Sequence, residues 1–287
     1  MSKLKGKIDF TLFVTVNYAN PNGDPLNGNQ PRTNLKGYGE ISDVCIKRKI
    51  RNRMQDLGYK VFVQSDDRAD DGHTSLKERA VSCQELKKEL GKKRGADPKI
   101  CAEIACREWL DVRSFGQVFA FKGSNASLGI RGPVTIQTAI SLSPVEIESM
   151  QITKSANNEP VDGRSSDTMG MKHFVTFGVY KIVGSVTTQL AEKTEFSQED
   201  AEILKECLRT LFVNDASSAR PDGSMDVARM YWWQHTENTP VVTSHRIQDA
   251  FHYEKPADPE RFDDYLVYWE PIDGCITPEI FESITPD

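Results

Sequence analysis

At 287 residues, 38% hydrophobic and 27% charged, the chain is long enough for one large domain with insertions or two smaller ones, and its composition excludes a disordered or fibrous polypeptide. No apolar run approaches the roughly 20 residues that cross a bilayer. The formal net charge of -6 hides an asymmetry: ten Lys or Arg stand against four acids from Met1 to Met54, and eleven acids against Lys255 and Arg261 from Asp249 to Asp287. A basic front end keeps a nucleic-acid partner open despite the acidic total.

In chain order, the lysines at Lys3, Lys5 and Lys7 are followed by Asp9, Thr11 and Asn17, which break any export-signal core. Ile8, Phe10, Leu12, Val14 and Val16 alternate with polar residues and predict a strand with one buried face. Asn20 to Pro31 is then too rich in proline and glycine for regular structure. Ser42 is placed to cap a helix whose buried stripe is Ile46, Ile50, Met54 and Leu57, with Gly58 as its stop. From about Gln64 to Asp97 the chain is strongly charged and broken, which predicts an insertion with short helices.

Phe115 to Phe121 and Val134 to Leu142 predict two more strands, and Phe174 to Val186, apolar on both faces, a central one. Between them, Met150 to Thr153 and Thr168 to Met171 can pair as a long protruding hairpin. Ser197 begins a second helix with Ala201, Leu204, Leu208, Leu211 and Phe212 on its buried side. Met230 to Trp233 and Tyr265 to Trp269 predict aromatic strands. The order strand, helix, strand, strand, helix, strand is the split βαβ pattern of α+β, ferredoxin-like and RRM-like folds.

Six cysteines form neither a CxxC pair nor a regular framework, which predicts free thiols in a reducing cytoplasm. Gly37 to Ser42 nearly spells a dinucleotide fingerprint, but lies about twenty residues beyond its strand, which is the wrong context. Asp67, Asp71, Gly72 and Glu78 match parts of a calcium loop but Ala69 breaks it. The five histidines show no metal-ligand spacing, and no nucleophile elbow is present, so neither a metal nor a cofactor is expected.

The feature with most chemistry is the helix after Ser42, carrying Lys47, Arg48 and Arg51. Such side chains suit phosphate, through a point charge or a bidentate fork. Arg32 and Lys36 in the glycine-containing approach add to it. Asp24 is a lone carboxylate in the loop; it either stabilises the turn before Pro25 or, on a second reading, assists RNA cleavage. Met169 and Met171 on the hairpin can hold a base out of a stacked strand.

The succession Asn20-Pro21-Asn22-Gly23-Asp24-Pro25, Ser42 to Arg51, Asp111-Val112-Arg113-Ser114-Phe115-Gly116, Gly129 to Val134, Phe177 to Tyr180 and Asn214 to Pro221 resembles the Cas7 family, specifically the backbone subunit of type I-C CRISPR Cascade complexes. The resemblance implies an RRM-like palm with an inserted finger region and a thumb β-hairpin. It divides the chain into palm at 1–58, finger at 59–130, a palm strand at 131–145, thumb at 146–173, palm again at 174–248, and an acidic segment at 249–287. It further implies a non-catalytic protein that binds crRNA, assembles head to tail with its own copies and other Cascade subunits, and leaves the guide free to pair with target DNA. Arg113, Arg131 and Lys172 join Arg32, Lys36, Lys47, Arg48, Arg51, Met169 and Met171 as implied RNA contacts. The acidic segment is expected to meet a basic surface of the next copy.

Overall fold

The computed structural model describes residues 2–69, 71–92, 95–120, 127–153 and 169–283. Strand β1 (Ile8–Ala19) leads to a small ladder of β2 (Gly23–Asp24) and β3 (Gln30–Pro31) around a 3-10 turn, then to β4 (Tyr38–Ile41) and helix α1 (Asp43–Asp56). Helices α2 (Leu76–Ser82), α3 (Gln84–Leu90), α4 (Pro98–Glu108) and α5 (Leu110–Phe115) follow, with the paired strands β5 (Gly116–Ala120) and β6 (Ser127–Arg131). Next come β7 (Val134–Ile136), β8 (Ala139–Pro144), β9 (Ile147–Thr153) and the 18-residue β10 (Met169–Val186). Helices α6 (Thr188–Thr194) and α7 (Gln198–Arg209), strand β11 (Met225–Gln234), helix α8 (Ser244–Asp249), the pair β12 (Phe251–His252) and β13 (Tyr268–Trp269), and β14 (Glu279–Glu282) complete the order.

These elements make a mixed α/β fold around one large antiparallel sheet in the order β14-β11-β1-β10-β8-β4, with β7 and β9 also on β10. The strand apolar on both faces is central, as its composition predicts. The run Val134 to Leu142, expected as one strand, is two. Against β10 it accommodates one extra residue between the Ile136–Gly184 and Ile140–Lys181 pairs, so the ladder breaks at a bulge.

The middle of the sheet is buried on both faces. On the first, Phe10, Leu12, Val14 and Val16 pack with Ile46, Ile50 and Met54 of α1 and Ala201, Leu204 and Leu208 of α7. Ser197 and Asp200 close a capping box at the start of α7, satisfying two otherwise orphaned amides. On the second face, Phe13, Val179, Tyr231 and Trp233 are covered by Ile247, Phe251, Phe262, Tyr265 and Val267.

This second core corrects two expectations. β1 does not have a single buried face, since Asp9 and Thr11 are as hidden as Phe10. Tyr265 to Trp269 is not a continuous strand either. Phe262–Tyr265 is a 3-10 turn, Leu266 takes a positive φ of 44°, and only Tyr268–Trp269 is extended. A third core, with Phe62, Leu86, Ile104, Trp109 and Phe119, belongs to the inserted region between α1 and β6. Helices α4 and α5 there were not anticipated, although Asp97 before Pro98 is a legible start signal.

Candidate nucleic-acid interface

Helix α1 is anchored at its start by two hydrogen bonds: Ser42 Oγ accepts from the Cys45 amide at 3.2 Å, and the Ser42 amide donates to Asn22 Oδ1 at 2.9 Å. Its basic side chains then diverge. Lys47 pairs with Asp43 at 2.9 Å one turn back and stays partly exposed. Arg48 donates to the Val63 carbonyl at 2.7 Å, and burial pushes its guanidinium pKa down. Arg51 donates through Nε to Asp111 at 2.9 Å and lies 5.0 Å over the Phe115 ring. Asp111, fully buried, also takes the Phe62 amide at 2.7 Å and the Val63 amide at 3.1 Å. Arg48 and Arg51 thus tie α1 to the inserted region.

Lys49, not singled out from sequence, is buried against the first core with its ammonium on Asp215 and 5.3 Å from the Phe212 ring. Burial lowers its pKa, and Asp215 partly restores it. The same carboxylate takes Arg220 Nε at 3.2 Å. The Asn214 to Pro221 segment is therefore packed on α1, and the Ala219 carbonyl accepts the Asn20 amide at 2.9 Å. Two cations thus share one carboxylate.

Arg32 pairs with Asp24 at 3.2 Å, and Asp24 accepts from the Leu26 amide at 3.2 Å, so its charge is used within the turn. Lys36 is exposed, and neither it nor Arg131 forms an ion pair among the described residues. Gly37 and Gly39 are structural: Gly37 has φ 80°, and a Cβ on Gly39 would lie 2.2 Å from the Tyr180 hydroxyl. Arg113 is buried, gripping Asp200 through two bonds of 2.8 Å and donating to the Cys106 carbonyl. It is not brought to the surface that carries Arg32 and Lys36.

The hairpin expected from Met150 to Met171 forms. β9 pairs with the first part of β10 from Ile147–Val175 to Thr153–Met169, and residues 154–168, including Asn157 to Thr168 of the expected loop, lie outside the described residues. Strand alternation sorts its side chains into two faces. Met169, Met171 and His173 share one face with Thr153, Gln151 and Ser149, whereas Lys172 and Phe174 share the other with Met150 and Glu148, joined by Ile152 opposite Gly170. Met169 at 60% exposure, Met171 and Met150 at 54% and Ile152 at 49% show that both faces of this arm are open. Met150 and Ile152 belong beside the two methionines flagged from sequence.

Among the described residues no three His, Cys, Asp or Glu gather as metal ligands, and Asp71 of the calcium-like stretch is held by Arg79. No described helix is long and apolar enough to cross a membrane.

The chain is 30% identical over 219 residues to the CRISPR-associated protein Cas7 of Haloferax volcanii; the match covers 67% of this chain and 60% of that one. Among solved structures, it is similar to a chain of a CRISPR RNA-guided surveillance complex, pre-nicking, with TM-score 0.49 and 16% identity over 79% of this chain and 77% of the other. A second, from a CRISPR RNA-guided surveillance complex, gives TM-score 0.45 and 16% identity over 79% and 68%. The family model for CRISPR-associated protein Cas7 matches residues 6–270, which take in α1 and α7, the inserted region, the arm and most of the second core, and the chain belongs to that family.

Proposed function

We propose that this chain is the crRNA-binding backbone subunit of a type I-C Cascade complex: a cytoplasmic, non-catalytic protein that assembles head to tail along the guide and leaves it free to pair with target DNA. The observation that carries this is the arm of β9 and β10, exposed on both faces and continuous with the strand against which β3, just before Arg32, packs, in a chain of the Cas7 family. An arm with four exposed apolar side chains contributes little to the protein's own core and suits a partner that covers it.

On this reading β1, α1, β8, β10, α7 and β11 are an RRM-like, ferredoxin-like palm, with β11-β1-β10-β8 adjacent in the sheet. Residues 59–130 are the finger and 146–173 the thumb. Arg32, Lys36, Lys47, Arg131 and Lys172 face RNA phosphate, and Met169 and Met171 face bases. Arg48, Arg51 and Arg113 act by holding the elements that carry them. A metal-dependent ribonuclease using Asp24 is disfavoured by the use of that carboxylate in its own turn and on Arg32.

The test is purification with and without guide RNA, followed by sizing. Excess absorbance at the nucleic-acid wavelength and a size that grows with guide length are expected; a monomer indifferent to RNA overturns the proposal. Cleavage of complementary RNA in magnesium, lost in Asp24→Ala, overturns its non-catalytic part.

A further inference from the structure

Tyr18 stands out against its surroundings. In β1 the ladder pairs Asn17 with Phe177 and Ala19 with Val175, but Tyr18 has no partner, because the opposite residue, Thr176, donates instead to the Glu146 carbonyl at 3.1 Å. Tyr18 takes a φ of 47°, a left-handed conformation uncommon for a bulky side chain, and its ring is 60% exposed. Strain of this kind persists where the surrounding structure imposes it, and it accumulates at ligand-binding positions. The neighbouring register fixes where the ring lies: its centroid is 5.7 Å from that of Phe174, the buried aromatic at the root of the arm.

Phe174 belongs to the face of the arm that carries Lys172, Met150 and Ile152. An exposed aromatic ring, tilted against a buried one, therefore stands at the foot of an apolar strip with one cation beside it. Among the described residues Lys172 has no ion pair. On the other side of Tyr18 the chain enters Asn20 and the β2–β3 turn, just after which comes the partly exposed Arg32.

We infer that Tyr18 is a stacking platform for one unpaired RNA base at the root of the arm, with Lys172 meeting the adjacent phosphate. A largely exposed aromatic ring suits any base, since every base has a π-face, and the neighbouring cation adds sequence-independent attraction. This inference rests on the RNA-binding reading above and adds to it a named residue and a mode of contact.

The experiment uses the full chain and a fluorescein-labelled single-stranded RNA of guide length, with affinity read by anisotropy at several salt concentrations. Tyr18→Leu is expected to weaken binding on the order of tenfold, with Tyr18→Phe and Tyr18→Trp staying within about twofold of the parent. The salt slope should be unchanged in Tyr18→Leu and shallower by about one in Lys172→Ala, because only the latter removes a phosphate contact. RNA containing 4-thiouridine should crosslink on irradiation to the peptide that holds Tyr18. If parent and Tyr18→Leu bind RNA equally, or if Tyr18→Phe loses as much as Tyr18→Leu, stacking is overturned. An RNA-independent change in oligomer size in Tyr18→Leu would make the ring a contact between copies instead and also overturn it. If the parent protein itself binds no RNA, the broader reading falls and takes this inference with it.

Discussion

Arg51 was placed by its sequence position at the edge of a basic helix face, yet its partner Asp111 is inaccessible to solvent and also holds two backbone amides. Removing that carboxylate strands three donors, so Asp111→Ala is expected to cost about 3–5 kcal/mol, read as a lower urea midpoint with the slope unchanged. Arg51→Ala likewise mixes lost stability with any lost affinity. Lys47 is cleaner. Its pair with Asp43 is a partly exposed one-turn contact worth about 0.3–0.5 kcal/mol, so Lys47→Ala should leave the urea midpoint nearly unchanged. If Lys47 faces phosphate, the same variant lowers the salt slope of RNA binding by about one; an unchanged slope removes it from the interface. Tyr18→Gly makes the opposite test of strain. It removes a left-handed cost of about 1 kcal/mol but loosens the unfolded chain by a similar amount, so thermal melts should stay nearly unchanged, and a clear loss of stability would show that the Phe174 contact outweighs the strain.

The arm behaves as an element with no debt to the core. Replacing Met150, Ile152, Met169 and Met171 together by Ser is expected to leave the melting temperature within a few degrees, because each is half-exposed or more, while RNA affinity falls. A melting point that collapses would make the arm structural. Its pairing was legible in the sequence, since two flanking runs of β-prone residues bracket a polar loop; which residues share a face was not, because that depends on register. β1 shows the same boundary. Its alternation gave one buried face, but burial of Asp9 and Thr11 depends on Ser244 and Gln248, more than 200 residues away. On α1, Lys49 lies three residues past Ile46, at the other edge of the apolar stripe, so its burial could have been read from helical geometry. Its partner Asp215, 166 residues on, could not.

Across the whole molecule, the segment from α8 to Ser283 is part of the fold. Its acids are partly used inside the protein, Glu279 by Lys205, Glu282 by Arg229 and Glu270 by His252, so a charge contact with another copy rests on the remainder. Truncation after Asp249 would uncover Phe13, Tyr231 and Trp233 and is expected to give insoluble protein, which makes charge reversal of single acids the better probe of assembly. Beneath this segment Lys181 donates to the Gln248 carbonyl at 3.2 Å and lies 4.5 Å from the Phe251 ring, and burial brings its pKa down from 10.5 to about 8. Between those two values the unfolded chain holds a proton that the folded chain has released, so this lysine makes stability rise with pH over that window. The buried thiols of Cys106 and Cys207, raised by burial from 9.0 to about 12, act the other way: above about pH 9 they ionise first in the unfolded chain and pull stability down. The raw profile therefore mixes both signs, and the informative quantity is the difference between the parent and Lys181→Met, which keeps an unbranched apolar stem without the charge. Urea midpoints measured from pH 7 to 10.5 should show the parent gaining on the variant as pH rises through 8, and parallel profiles would show that the segment covering Lys181 leaves its ammonium in water.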